Sequence, residues 1–277
     1  MITGTTQLIA HIGLPTASFK SPMIYNPFFE SRGVDAVVVP MGCASESYAD
    51  FLRLVFRLSN IRGALITMPH KVATVALLDE ASPTVGVAGS CNAVRADAGG
   101  RLVGDMFDGE GFVRGVQRNG RRLEGARALV VGCGGVGSAI AASLAKAGVG
   151  RIGLYDSNAS VMDGLAARLA RHYPKLGLAA GSNDPDGWEI VVNATPLGMR
   201  ADDPLPMDVA RIAPDAFVGE VVMAAEYTPF LAAARARGCR TQIGLDMLFE
   251  QIPAYLEFFG FPAASPEELR ALARLDG

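Results

Sequence analysis

The sequence predicts an α/β protein built as two domains. Three observations point to it. Apolar runs of strand length alternate with helical patterns along most of the 277 residues. A glycine-rich turn, Gly132-Cys133-Gly134-Gly135-Val136-Gly137, sits in mid-chain, so roughly 125 residues precede it and need a core of their own. Half the residues are hydrophobic and 19% are charged, which suits a compact chain long enough for two cores of roughly 100–150 residues each.

In the front half, residues 8–12, 36–39 and 64–67 read as buried strands. Helical patterns lie between them at 22–30 and 45–58, the second with Phe51, Leu54, Val55 and Leu58 as its apolar face. Pro69 is placed in the first turn of a helix running through 71–78. Residues 92–96 and 101–103, joined by Ala98-Gly99-Gly100, read as a hairpin. Such alternation implies a mostly parallel sheet with helices on its faces.

The second half repeats the alternation. Strands are expected at 128–131, 151–155, 190–192 and 217–222, and helices at 136–147, 158–172 and 228–237. Gly132, Gly134 and Gly137 supply G-x-G-x-x-G between a strand and a helix. The first glycine permits the tight turn, the second a close backbone approach to a pyrophosphate, and the third close packing of helix on sheet. With Asp156 closing the next strand, the segment reads as a Rossmann-type dinucleotide-binding domain in preference to a structural glycine loop. A carboxylate there accepts both ribose hydroxyls of NAD and repels the 2′-phosphate of NADP; Ser157 and Asn158 follow, with no arginine to clamp a phosphate. NAD is therefore expected over NADP. Gly135 and Val136 of the turn are expected in the cofactor-binding set, as are Val221 and Gly244 further on; Asn193, Thr195 and Pro196 after the fourth strand suit a backbone passing close to a nicotinamide ring, and an ordinary turn would look the same. The tail from Asp246 reads as a helix with Leu248, Ile252, Tyr255, Leu256 and Phe259 on one side, returning to the first domain. The expected division is residues 1–108 plus 246–277 for the substrate domain and 109–245 for the NAD-binding domain.

Other classes are disfavoured. The net charge of −3 argues against nucleic acid, and Arg114, Arg118, Arg121, Arg122 and Arg127 read as a solvated helix face and linker. No apolar stretch reaches about 18 residues, and no secretory signal is read. Cys43, Cys91, Cys133 and Cys239 are scattered, and His11, His70 and His172 give no metal-ligand spacing, so no metal is expected and a reducing cytoplasm is. Nothing distinguishes a monomer from a homodimer.

Two residues stand out for chemistry. Lysine occurs at four positions among 25 cationic residues, Lys20, Lys71, Lys146 and Lys175. Lys71 follows a strand and a proline, in the first turn of a helix, where the macrodipole disfavours a cation and where open α/β sheets bind ligands. Lysine, unlike arginine, can lose its proton; a surface lysine would look the same. Asp108 opens the next helix, either as an ordinary N-cap or as a functional carboxylate, with Gly109 and Gly111 marking a close backbone approach or a hinge.

These segments together resemble the shikimate/quinate dehydrogenase family along nearly the whole chain. Thr67-Met68-Pro69-His70-Lys71 is similar to its lysine motif, Gly89-Ser90-Cys91-Asn92-Ala93 to its substrate asparagine segment, and Gly104-Asp105-Met106-Phe107-Asp108-Gly109-Glu110-Gly111-Phe112 to its aspartate motif. Asn193-Ala194-Thr195-Pro196-Leu197-Gly198-Met199 and Gly244-Leu245-Asp246-Met247-Leu248-Phe249-Glu250-Gln251 are similar to two later ones. The resemblance implies an NAD(P)-dependent alcohol dehydrogenase acting on a small cyclic hydroxy acid. It implies Lys71 and Asp108 as catalytic residues, with Ser18, Ser21, Thr67, Asn92 and Gln251 on the substrate. The chain departs from the family at the substrate end: Phe19 stands at the first serine of a carboxylate-binding stretch, Met106 and Phe107 at an asparagine and a threonine, Leu65 at an asparagine, and Met223 and Ala225 at a tyrosine and a proline. Each change removes a polar group or adds apolar bulk. A relative for an amino-substituted or less hydroxylated ring, or a dinucleotide-binding regulator without turnover, are the alternatives.

Overall fold

The computed structural model describes residues 2–200 and 202–275. The chain forms two compact α/β units. The first comprises the chain up to Val85, Gly89–Phe107 and the chain from Ile252; the second comprises Gly86–Ala88 and Asp108–Gln251.

The first unit carries strands β1 (Gln7–Gly13), β2 (Ala36–Gly42), β3 (Ile61–Ile66), β4 (Glu80–Ala81), β5 (Ala93–Ala96) and β6 (Leu102–Asp105) in the order β2-β1-β3-β5-β6-β4. Strand β1 is parallel to β2 and β3, while β5 runs antiparallel to both β3 and β6. The mostly parallel sheet and its hairpin are as the alternation predicts. Helix α1 (Pro22–Ser31) is tied to edge strand β2 through Asn26, whose Oδ1 accepts the Val38 N–H at 2.7 Å and whose Nδ2 donates to the Val38 carbonyl at 3.2 Å.

Two local expectations need correction, and one helix was not expected. The stretch 45–58 is a 3-10 turn, Ser45–Ser47, followed by α2 (Tyr48–Val55), which buries Tyr48, Leu52 and Val55. Leu54, off that buried stripe, and Leu58, beyond the end of the helix, stay exposed. Pro69 does not start a helix: the His70 N–H donates to the Thr67 carbonyl at 2.9 Å, closing a turn, and α3 (Lys71–Thr74) is one α-turn that tightens into a 3-10 turn at Val75–Leu77. The unexpected α4 (Pro83–Ala88) has a complete set of end signals: Ser82 caps it by accepting the Val85 N–H at 3.3 Å, Pro83 opens it, and Gly89 ends it at φ 67°.

The second unit starts with α5 (Asp108–Arg118) and contains a wholly parallel sheet of β7 (Arg127–Val131), β8 (Arg151–Tyr155), β9 (Gly177–Ala180), β10 (Ile190–Asn193), β11 (Phe217–Glu220) and β12 (Arg240–Gln242). Its order is β12-β11-β10-β7-β8-β9, and β7 is central, so the chain winds outward in both directions from the strand before the glycine turn. Helices α6 (Gly135–Lys146), α7 (Ala159–His172) and α8 (Pro229–Ala236) cover the sheet. Helix α9 (Gly244–Phe259) begins in this unit and ends in the first, followed there by α10 (Pro266–Leu272). Close approach explains the glycines of α5. A Cβ on Gly109 would lie 1.9 Å from the Ala139 carbonyl oxygen of α6, and one on Gly111 would lie 2.5 Å from the Met247 carbonyl oxygen of α9. Asp108 is the first residue of α5.

Candidate active site

In the first unit the ends of β1 and β3 bring several expected residues together. The Thr67 N–H donates to the Ile12 carbonyl at 3.0 Å, holding half-buried Thr67 beside the end of β1. Four residues on, Lys71 begins α3; its carbonyl accepts the Cys91 N–H at 2.8 Å. Asn92 follows, fully buried, with its carbonyl accepting the Ile66 N–H at 2.8 Å and its Oδ1 accepting the Phe107 N–H at 2.9 Å. Thr67, Lys71 and Asn92 therefore share one corner of this unit. Because α3 is a single turn, a macrodipole contributes little at Lys71. Ser18 is exposed and donates to the Pro15 carbonyl at 3.1 Å; Ser21 is buried at the start of α1, with no side-chain capping bond.

The residues at the departures have structural reasons of their own. Phe107 packs edge-on against Tyr255 at 4.9 Å and Phe258 at 5.6 Å between centroids, so it belongs to the core. Phe19 stacks on His11 at 4.1 Å with 26° between planes. A Cβ on Gly13 would meet Thr67 Cγ2 at 2.4 Å and Phe19 Cζ at 3.1 Å, so this ring lies close to Thr67. His11 is buried, its Nδ1 has no hydrogen-bond partner, and burial together with the Lys71 charge pushes its pKa down to about 3. Its imidazole is thus neutral. His70 plays another part, stacking on Tyr48 at 4.0 Å and pairing through Nε2 with the Cys43 carbonyl at 2.8 Å.

In the second unit the glycine turn links β7 to α6. Gly132 has φ 98°, and a Cβ there would lie 2.7 Å from the Ala194 carbonyl group. A Cβ on Gly137 would lie 1.8 Å from the Gly132 carbonyl oxygen, so the third glycine seals the turn against its own helix. Gly134 differs: it is exposed, and a Cβ there meets nothing within 4 Å. That open space before the first turn of α6 is a cradle into which a phosphate can approach backbone N–H groups, and it fits a dinucleotide. Gly135 and Val136 line it half-buried. Asp156, at the end of β8, accepts the Cys133 N–H at 2.7 Å and the Asn158 N–H at 2.8 Å, so its carboxylate is fixed at the rim; Ser157 is exposed beside it.

The crest of β10 and β11 holds the remaining expected cofactor residues. Asn193 Oδ1 accepts the Thr195 N–H and hydroxyl, Pro196 accepts the Met199 N–H at 3.1 Å, and the Val221 N–H donates to the Asn193 carbonyl at 3.2 Å. Gly244 is needed where α9 starts, since a Cβ would lie 2.2 Å from the Val222 carbonyl oxygen. Asp108 is buried in this unit, and Gln251 is too, with its Oε1 unpartnered. His11 and Glu220 are the features that sequence reasoning missed; a histidine inside the apolar run 8–12 was the available signal for the first.

Four of the five arginines in the cluster have local carboxylate partners. Arg114 pairs with Glu110, Arg118 with Glu250 at 2.9 Å, and Arg121 and Arg127 with Glu189 at 2.8 and 3.4 Å. Among the described residues no helix is long and apolar enough to cross a membrane, and no cluster of potential metal ligands occurs.

Comparison with known proteins places these features in context. The sequence pattern of the shikimate dehydrogenase substrate binding domain matches residues 12–94, and that of the ThiF family matches residues 112–160. The shikimate dehydrogenase (NADP(+)) of Rhodospirillum rubrum is 34% identical over 98% of both chains. Among solved structures, the shikimate 5-dehydrogenase of Listeria monocytogenes in complex with shikimate and NAD has a TM-score of 0.90 at 25% identity, covering 98% of this chain and 97% of that one. The quinate dehydrogenase of Corynebacterium glutamicum in complex with NAD has a TM-score of 0.87 at 28% identity, covering 96% and 98%.

Proposed function

The chain belongs to the shikimate dehydrogenase family, and from that premise we propose that it interconverts a ring hydroxyl and a ketone of a small cyclic hydroxy acid of the shikimate or quinate kind, with NAD as its cofactor. The observation that carries the reading is the corner of Thr67, Lys71 and Asn92, built on the ends of β1 and β3 in a chain that also bears a dinucleotide cradle. The dinucleotide supplies, when bound, the hydride acceptor or donor. Lys71 takes the hydroxyl proton in the oxidative direction and returns it in the reductive one, and Asp108 orients the hydroxyl by accepting its hydrogen bond. Lys71 works as neutral base in one direction and cationic acid in the other. Thr67, Asn92, Ser18, Ser21 and Gln251 hold the ring substituents, and Gln251 Oε1 is a buried acceptor awaiting a donor.

The preference for NAD rests on Asp156. Residues 157–162 carry no cation, and Arg168 Nε already donates to the Val87 carbonyl at 2.7 Å. A ribose 2′-phosphate would therefore meet a carboxylate with no counter-charge. The Rhodospirillum rubrum relative is named for NADP(+), which makes the ratio of turnover with NAD to that with NADP the decisive number. Turnover followed by the absorbance of reduced nicotinamide, with shikimate, quinate and less hydroxylated rings against both dinucleotides, tests the reading. Activity with NAD on a cyclic hydroxy acid supports it, and activity confined to NADP removes the cofactor assignment. The Phe19–His11 stack favours, as a second reading, a ring that is less polar where it meets Phe19.

A further inference from the structure

The second unit buries a carboxyl group that the proposed reaction does not use. Glu220 is the last residue of β11, has no exposed surface, and stands in register beside Asn193, the last residue of β10. Its Oε2 accepts the Thr228 hydroxyl at 2.9 Å, while its Oε1 is buried without a hydrogen-bond partner. Thr228 is equally buried and caps α8 by accepting the Leu231 N–H at 3.3 Å. Asn193 organises the loop after β10, accepting from Thr195 and donating to the Leu197 carbonyl at 3.0 Å. The two loops touch where a Cβ on Gly198 would lie 3.4 Å from Thr228. Glu220 thus sits directly beneath the loop crest at the carboxyl ends of the strands, the side on which open α/β sheets bind their ligands.

The groups facing it are neutral. They are Asn193 from β10 and Thr228 from the start of α8. Charged residues on the neighbouring elements are engaged or distant in register. Asp203 accepts the Gly198 and Arg200 N–H groups at 3.0 Å each, Glu226 is exposed, Arg240 of β12 pairs with Phe217 at the other end of the strand, and Asp246 of α9 faces Arg118 at 4.0 Å. Burial pushes the Glu220 carboxyl up to about 7, with the hydroxyl bond from Thr228 and the neighbouring Asn193 amide pulling the other way.

We propose that Glu220 is a positioning residue whose charge biases the β10–β11 crest toward the oxidised, cationic nicotinamide, so that preference for oxidised over reduced dinucleotide rises with pH. The proposal rests on the reading that this chain binds a nicotinamide dinucleotide. The oxidised ring carries a positive charge that the reduced ring lacks, and a buried carboxylate attracts it through a poorly screening interior. A protonated carboxyl has no such preference. Linkage makes the effect reciprocal: oxidised dinucleotide favours ionised Glu220.

The test is a set of binding titrations on the full chain with NAD+, NADH, NADP+ and NADPH at about pH 6 and about pH 8. In the wild type the affinity ratio of oxidised to reduced dinucleotide should rise by about fivefold between the two pH values. Glu220→Gln should show a flat ratio equal to the wild-type low-pH value, and Glu220→Asp should restore the slope. Carboxyl 13C NMR of the wild-type protein alone should show one side chain titrating near neutrality, so the proposal stays testable even if Glu220→Gln fails to fold. Binding with a flat wild-type ratio, or an unchanged slope in Glu220→Gln, overturns the proposal. Failure of all four dinucleotides to bind overturns the underlying reading and the proposal with it.

Discussion

Replacing His11 with phenylalanine should make the protein much less sensitive to mild acid. In the folded chain burial, and secondarily the charge of Lys71, hold the imidazole neutral down to about 3, whereas an unfolded chain protonates it below the ordinary 6.5. Between those values the unfolded state binds the extra proton, so stability rises with pH across the window, is complete above it, and falls as pH drops through it. Each pH unit is worth about 1.4 kcal/mol, so at pH about 4.5 the wild type has lost about 2.7 kcal/mol through this residue alone. That is a sizeable share of a typical domain's about 5–15 kcal/mol. Phenylalanine keeps an aromatic ring against Phe19, where the His11 stack has a 4.1 Å centroid separation, and has nothing to protonate. Urea unfolding at pH about 7 and about 4.5 should show a gap between wild type and His11→Phe that changes by about 2.7 kcal/mol in favour of the variant at the lower pH. The imidazole resonances, from three histidines, give the same information directly. A His11 titrating near its ordinary value, or a variant as acid-sensitive as the wild type, refutes the reasoning.

Three further outcomes follow from named contacts. Gly137→Ala places a Cβ 1.8 Å from a backbone oxygen that cannot step aside, so it should destabilise the second unit by about 1–3 kcal/mol and weaken dinucleotide binding more than about tenfold; calorimetric melting and a fluorescence titration check it, and wild-type values in both would contradict it. Asp156→Ala should move the NAD to NADP ratio of kcat/KM toward NADP by about tenfold, because the ribose loses its acceptor and a phosphate its repulsion; an unchanged ratio counts against Asp156 as selector. Phe19→Ser should raise kcat/KM on shikimate or quinate if the ring excludes a polar substituent, and no gain on either acid removes that explanation.

The parts of the fold that were legible in the sequence are those where one local signal is strong. The glycine turn announced its strand and helix because Gly132 and Gly137 each sit against backbone where a Cβ would clash, while Gly134 borders open space. Strands β9 and β12 went unread because Gly177–Ala180 and Arg240–Gln242 are short and carry little apolar signal; sheet pairing with β8 and β11 makes them strands. The face assigned to 45–58 failed because the buried stripe of α2 runs through Tyr48, Leu52 and Val55, which leaves Leu54 outside it, and because the helix ends at Val55, before Leu58. At the site, Lys71, Thr67 and Asn92 were marked by motif spacing, whereas His11 and Glu220 were hidden. Their importance comes from burial and from neighbours that the fold brings in, Phe19 and Lys71 for one, Asn193 and Thr228 for the other.

The role proposed for Lys71 is to move the hydroxyl proton, with a dinucleotide, when bound, supplying the hydride acceptor. Its most direct test is turnover of NAD with the cyclic hydroxy acid that the wild type oxidises fastest, compared between wild type and Lys71→Ala, with NAD affinity measured on the same samples. The account predicts a loss of kcat of about 100-fold or more with NAD affinity unchanged, as expected for removal of a general acid–base group. Turnover that survives in Lys71→Ala, or a wild type that binds NAD tightly yet oxidises no acid of the panel, would contradict it.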